Sequence, residues 1–229
     1  LNGSHLEETI RQISLWALPV LIAIVFHEVA HGWVANRLGD STAARMGRLT
    51  LNPIAHIDLF GTILLPALLI IAHAPFLFGY AKPVPVNFFN LNHPKRDMIW
   101  VALAGPVTNL LLAFGCIVLL RVFLPVIAQL PAAGSASFSV ANFFAPVALM
   151  ARNGVLINIV LAVFNALPLP PLDGGRVLVG LLPEPHSSVL ARIEPFGFVI
   201  LIVLLMTRTL DWVIGPPIQF LLSLYFGLL

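Results

Sequence analysis

The chain has 229 residues, of which 59% are hydrophobic, and its charge is confined to 12 Lys+Arg and 10 Asp+Glu. Charged residues at 10% fall far below the ~25% of soluble domains, too few to cover a water-soluble surface, so disorder, nucleic-acid binding and an ordinary cytosolic enzyme are excluded together. The mean hydropathy of +0.97 is that of an integral membrane protein, and a net charge of +2 is too small to imply an acidic partner.

In chain order, Leu1 to His5 read as an expression scar and are set aside, which leaves 6–229 as a single membrane-embedded domain. Apolar segments fall near 12–35, 60–79, 98–125, 143–169 and 195–229, judged against the ~20 residues that span a bilayer. The second carries Pro66, His73 and Pro75, the fourth Arg152 and Asn153, and the last Arg208 and Asp211. Helices broken in this way survive at membrane depth only where protein or a water-filled cavity surrounds them. Between the first two, GRLTLNPIAHID has the alternation of a short strand pair, and KPVPVN from Lys82 to Asn87 is extended because each proline biases its predecessor away from helix. These features predict an all-α polytopic membrane protein, a helical bundle with a short β-hairpin connector. Cys116, alone in an apolar run, reads as a small buried hydrophobe and excludes both an internal disulfide and a multi-cysteine metal site.

Chemistry concentrates in the first apolar helix, at His27-Glu28-Val29-Ala30-His31. Two histidines at i and i+4 share one helical face, so both imidazoles reach one Zn2+ while Glu28 stands beside the metal as general base. With 7 His, an HExxH arises by chance roughly 0.005 times per chain of this composition, so the match is specific. Ionisable groups inside an apolar span also need a compensating interaction, which a cation supplies.

A catalytic zinc needs a third protein ligand and an open position. Asp173 has the best claim: it lies in NALPLPPLDGGRVL, where Pro168, Pro170 and Pro171 break the helix and Gly174-Gly175 lets the backbone turn. His56 and Asp58 on the polar connector are rival ligands. In AGPVTN, Asn109 is an amide within a span and must find partners; it reads either as an interhelical hydrogen bond or as a donor to the substrate backbone or an oxyanion. Asn165 carries the same two readings.

HEVAH in one helix, AGPVTN in a later one and N-x2-P-x-P-x-LDGG at the end of another together resemble the site-2 proteases, intramembrane zinc metalloproteases that cleave membrane-embedded segments. The resemblance runs from about Trp16 to Val179 and includes GRLTLNP and PVPVN. It implies His27, His31 and Asp173 as ligands of one catalytic Zn2+, Glu28 as the catalytic acid/base, and, less directly, Asn109 in substrate or transition-state contact. On this reading 6–229 is one metalloprotease domain in a minimal form without a PDZ domain.

Zinc-ligand geometry adds a parity argument. If His31 and Asp173 leave the membrane on the same side, an even number of crossings separates them. The 98–125 and 143–169 runs supply two, so 60–79 is expected to be re-entrant or peripheral. Arg37, Arg45, Arg48, Lys82, Lys95, Arg96 and Arg176 then share the active-site side, while Arg121 and Arg152 flank the opposite loop. The positive-inside rule places the site toward the cytoplasm, with the plasma (inner) membrane of a prokaryote as the expected location. The expected activity is hydrolysis of peptide bonds in or near transmembrane segments, with single-pass helices as substrates and no nucleic-acid partner. An extended substrate is expected to pair along the edges of Arg48 to Leu51 or Val84 to Asn87. The alternatives are an intramembrane metal-ion transporter or sensor, which needs no general base between its ligands, and a silent scaffold, which has no reason to retain a desolvated three-ligand site.

Overall fold

The structure is a computed structural model and describes residues 3–72, 79–128 and 140–229; Leu1, Asn2, His73 and Pro75 lie outside the described residues. Its helices are α1 (Gly3–Arg37), α2 (Thr42–Arg45), α3 (Leu65–Ile71), α4 (Pro94–Ala128), α5 (Val140–Asn165), α6 (Asp173–Leu181), α7 (His186–Ala191), α8 (Glu194–Met206) and α9 (Thr209–Phe226). Three stretches among the described residues are long and apolar enough to cross a membrane singly: Glu7–Arg37 in α1, Pro94–Pro125 in α4 and Phe144–Asn165 in α5. Each is apolar on all sides, as expected where one face meets other helices and the rest meets lipid. The polytopic all-α architecture follows.

These three helices pack against one another. Where α4 meets α5, the buried cluster of Ala113, Ile117, Leu120, Ala148, Ala151, Val155 and Ile159 is rich in small residues. Small side chains let the backbones approach closely, which drives helix association where lipid is as apolar as the partner helix. Cys116, half-buried where a fully buried side chain was expected, packs there against Gly154, where an added Cβ would sit 2.6 Å from its sulfur. The outward face of α4 shows Leu111, Phe114, Val118 and Val122.

The connector differs from expectation. No strand forms among the described residues, and the reason lies in the donors. Pro83 and Pro85 have no N–H to give a ladder, and the Val84 N–H is donated inward to Glu28 Oε2 at 2.8 Å. What joins the two halves is mainly a side chain, with Arg48 Nη2 donating to the carbonyls of Lys82 at 2.9 Å and Pro83 at 3.3 Å. On the other half, Pro53 opens a short 3-10 turn over Pro53–His56, capped by Asn52.

The apolar stretch Leu59–Ile71 is continuous but short. Its opening turn is π-wound, from Leu59 to Leu64. At ~1.5 Å per residue it reaches about 20 Å, short of the ~30 Å hydrocarbon layer. The chain then returns to where it began: Tyr80 N donates to Gly61 O at 3.0 Å, Thr62 Oγ1 to Tyr80 O at 2.9 Å, and Lys82 N to His56 O at 2.9 Å. At the far end of the sequence, α8 and α9 meet at a bend of 84°, where Arg208 adopts a left-handed φ of 56°. The last apolar run is therefore a bent pair and not one straight helix.

Candidate metal centre

The HExxH sits two turns before the end of α1, so His27, Glu28 and His31 leave the helix on the side that faces α4 and the α5–α6 turn. That turn is built by its prolines and glycines: α5 stops at Asn165 and α6 starts at Asp173, and Pro168, Pro170 and Pro171 deny the intervening backbone a helical path. An added Cβ at Gly174 would collide with the carbonyls of Ala166 and Leu167, so only glycine lets the chain fold back far enough to aim Asp173 at α1. Gly105 does the same for α4, since any larger residue would press into both imidazoles.

The result is a tight cluster. His27 Nε2 and His31 Nε2 are 3.0 Å apart, and Asp173 Oδ2 lies 3.2 Å from the first and 3.3 Å from the second. Among the described residues these three alone converge in the manner of a metal site. His56 and Asp58, the rival ligands, are occupied elsewhere: His56 is buried with Nε2 donating to Thr50 O at 2.8 Å, and Asp58 Oδ1 accepts from Gly61 N at 2.7 Å.

The outer nitrogens fix which atoms face the cluster. His31 Nδ1 donates to Val101 O at 2.7 Å. His27 Nδ1 meets Asn109 Oδ1 at 2.6 Å, and Asn109 is oriented by its own donations, from Nδ2 to Ala23 O at 3.1 Å and to Asn158 Oδ1 at 2.8 Å. Asn158 Nδ2 in turn donates to Gly154 O at 2.8 Å. With both Nδ1 atoms facing oxygens that accept, it is Nε2 that each ring offers to a metal as its lone-pair nitrogen.

Two imidazole lone pairs and a carboxylate oxygen therefore point at one another, and Asp173 Oδ2 is buried without accepting a hydrogen bond. Such a set repels itself unless a cation sits among it. Their separations of 3.0–3.3 Å match the about 3.3 Å edge of a tetrahedron of ligands held ~2.0 Å from Zn2+. The donor types and their spacing fit zinc, with room for a fourth position toward a cavity of about 160 Å3 lined by Glu28, Val84, Phe88, Asn165 and Arg176.

The two asparagines part company. Asn165 lines that cavity, with Nδ2 donating to Leu161 O at 3.0 Å. Asn109 is fully buried behind His27, with both amide hydrogens already donated to protein. Sequence reading missed Asn158, which is 2% exposed; the one available signal was a third uncharged amide within an apolar span. Arg176 was read only as a basic residue on one membrane side, yet it lines the cavity, pairs with Glu194 at 3.0 Å and lies over the Phe88 ring at 5.0 Å.

The chain is similar to known proteins. The model of Peptidase family M50 matches residues 15–207. YwhC of Bacillus subtilis, named a zinc metalloprotease, is 38% identical over 88% of this chain and 84% of its own length. Two proteins named zinc metalloprotease Rip2 follow, from Mycolicibacterium smegmatis at 30% over 89% of this chain and 73% of theirs, and from Mycobacterium tuberculosis H37Rv at 32% over 85% and 68%. No solved structure matches. The site stands on the residues that carried the site-2 protease resemblance, and the chain belongs to peptidase family M50.

Proposed function

We propose that this membrane zinc metalloprotease hydrolyses peptide bonds in or near the transmembrane segments of other membrane proteins, the chemistry of regulated intramembrane proteolysis. The observation that carries the reading is Glu28 beside three converged ligands on apolar helices. His27, His31 and Asp173 hold the ion. Bound there, Zn2+ supplies Lewis acidity toward a water and toward the peptide carbonyl.

The protein's own part is positioning and proton transfer. Glu28 lines the cavity onto which the ligands open, so its carboxylate takes a proton from the attacking water and returns it to the leaving amine. Asn109, with its amide hydrogens spent, acts on His27 by holding the ring in one orientation and tautomer. Asn165 faces the cavity and is the amide available to a substrate backbone. The Glu28–Val84 bond draws the proline-rich segment over the site, and a substrate peptide bond reaches the site beside that segment. Water enters from the connector side, past Arg176 and Phe88.

The stretch Leu59–Ile71 is read as re-entrant, because it is too short to cross and the chain at Tyr80 is hydrogen-bonded back to Gly61 near its start. Two crossings, α4 and α5, then separate His31 from Asp173, and the seven basic residues on their side support an orientation of the site toward the cytoplasm. Membrane proteomes of cells expressing wild-type or Glu28→Gln protein test the function. Single-pass proteins that accumulate intact only with the variant are expected; identical proteomes contradict the reading. A metal transporter retains its transport with Gln at 28.

A further inference from the structure

A second cavity, of about 380 Å3, opens on the same catalytic residues. It shares His27, Glu28, Pro83, Asn165 and Pro171 with the polar cavity, so the two meet at the reacting position. Beyond that point their characters diverge. The smaller cavity continues past His31, Asp173 and Arg176, whereas the larger runs between Ile24, Tyr80, Leu161, Phe164, Phe198 and Leu201.

The helix directions say which way each cavity extends. α1 and α5 both run toward the site end, so Ile24 lies one turn deeper than Glu28 and Leu161 one turn deeper than Asn165. α8 runs the other way, since its first residue, Glu194, pairs with Arg176 near the site, and Leu201 is again deeper. All three walls of the apolar cavity thus lie toward the interior of the apolar layer. Tyr80 and Phe198 close its outer side, ring edge to ring face at 6.2 Å.

We propose that this apolar cavity is the subsite for the substrate side chain on the membrane-interior side of the scissile bond, and that it takes a large aliphatic or aromatic residue. The proposal rests on the hydrolysis reading above. A peptide, unlike a lipid acyl chain, brings its own N–H and C=O groups to the polar Glu28 and Asn165 at the cavity mouth. Recognition is thereby divided: an apolar pocket on one side of the bond, and a polar, Arg176-bearing cavity on the other.

The test uses the zinc-loaded full chain in micelles, with a mixture of Lys-flanked single-pass peptides whose central positions are randomised, and cleavage sites read by mass spectrometry. Wild-type protein is expected to enrich Leu, Met and Phe on one side of the cut bond only. Leu161→Trp, which fills the pocket, lowers the ratio of large to Ala residues at that position about tenfold. Phe198→Ala, which enlarges it, moves the preference the other way, toward Trp. Zinc content, measured on each variant, reports folding independently. Cleavage with the same preference in wild type and both variants overturns the subsite while leaving the hydrolysis reading intact. No cleavage by zinc-loaded wild type overturns the hydrolysis reading, and the subsite with it.

Discussion

His27 shows how much of this centre depends on atoms that never touch substrate. Its Nε2 faces the metal position because Nδ1 donates to Asn109, and Asn109 points the right way because Asn158 accepts from its amide. Asn158→Leu and Asn109→Leu are each expected to weaken zinc binding by about 10–100-fold, measured by competition with a chelator and not only by activity. In the Asn109 variant the His27 ring is free to turn, so a shift in the visible spectrum of the Co2+-substituted protein accompanies the loss. The convergence of His27, His31 and Asp173 was legible in sequence because HExxH fixes a helical face and LDGG marks a turn. The orientation of Asn109 was not, since an amide in a span satisfies itself equally well toward a substrate or a neighbouring helix, and only the position of Asn158 on α5 decides between them.

The connector is tied to the end of α1 by one buried carboxylate. Asp40, fully buried just after α1, accepts from Thr42 N at 3.1 Å, Thr42 Oγ1 at 2.5 Å, Asn87 N at 2.7 Å and Asn90 Nδ2 at 3.0 Å. It therefore ties the end of the HExxH helix to the segment that bonds Glu28. Asp40→Ala strands several of these donors and is expected to cost on the order of 3 kcal/mol, measured by thermal unfolding in detergent. Burial disfavours the Asp40 carboxylate, but the bonds from Thr42, Asn90 and Asn87 outweigh it and hold its pKa below the ordinary value. The sign follows from that lowering. The tie is at full strength above the unfolded carboxylate pKa of ~3.9 and is lost as pH falls through the lower folded value. Unfolding temperatures from neutral pH downward should show this acid loss in wild type, with a weaker one in Asp40→Asn. The non-helical course of Lys82 to Asn87 was legible from its prolines. The absence of a ladder was legible in principle too, since those prolines remove the donors a hairpin needs; the alternation of GRLTLNP outweighed that count.

At the scale of the whole molecule, the proposed topology takes α4 and α5 as the two crossings between His31 and Asp173, with Leu59–Ile71 too short to add a third. In a Cys116→Ala background, single cysteines at Ser41 and Ser188 are expected to react with an impermeant thiol reagent from one membrane face, and a cysteine at Ser135, between α4 and α5, from the other. Reaction of all three from the same face contradicts the assigned crossings. An interruption between α8 and α9 was legible in sequence from Arg208 and Asp211, which left open one span with an interfacial helix or a broken pair; the 84° angle was not, because it is set by backbone at Arg208 that no residue type there demands. The proposed function depends on Glu28 acting beside an ion held by His27, His31 and Asp173. The most direct measurement is cleavage of a reconstituted single-pass membrane protein by wild type and Glu28→Gln, with zinc counted in the same samples. One zinc per chain in both, with cleavage by wild type alone and a loss of about 10²–10⁴-fold or more in the variant, is the predicted result; equal cleavage by the two proteins contradicts it.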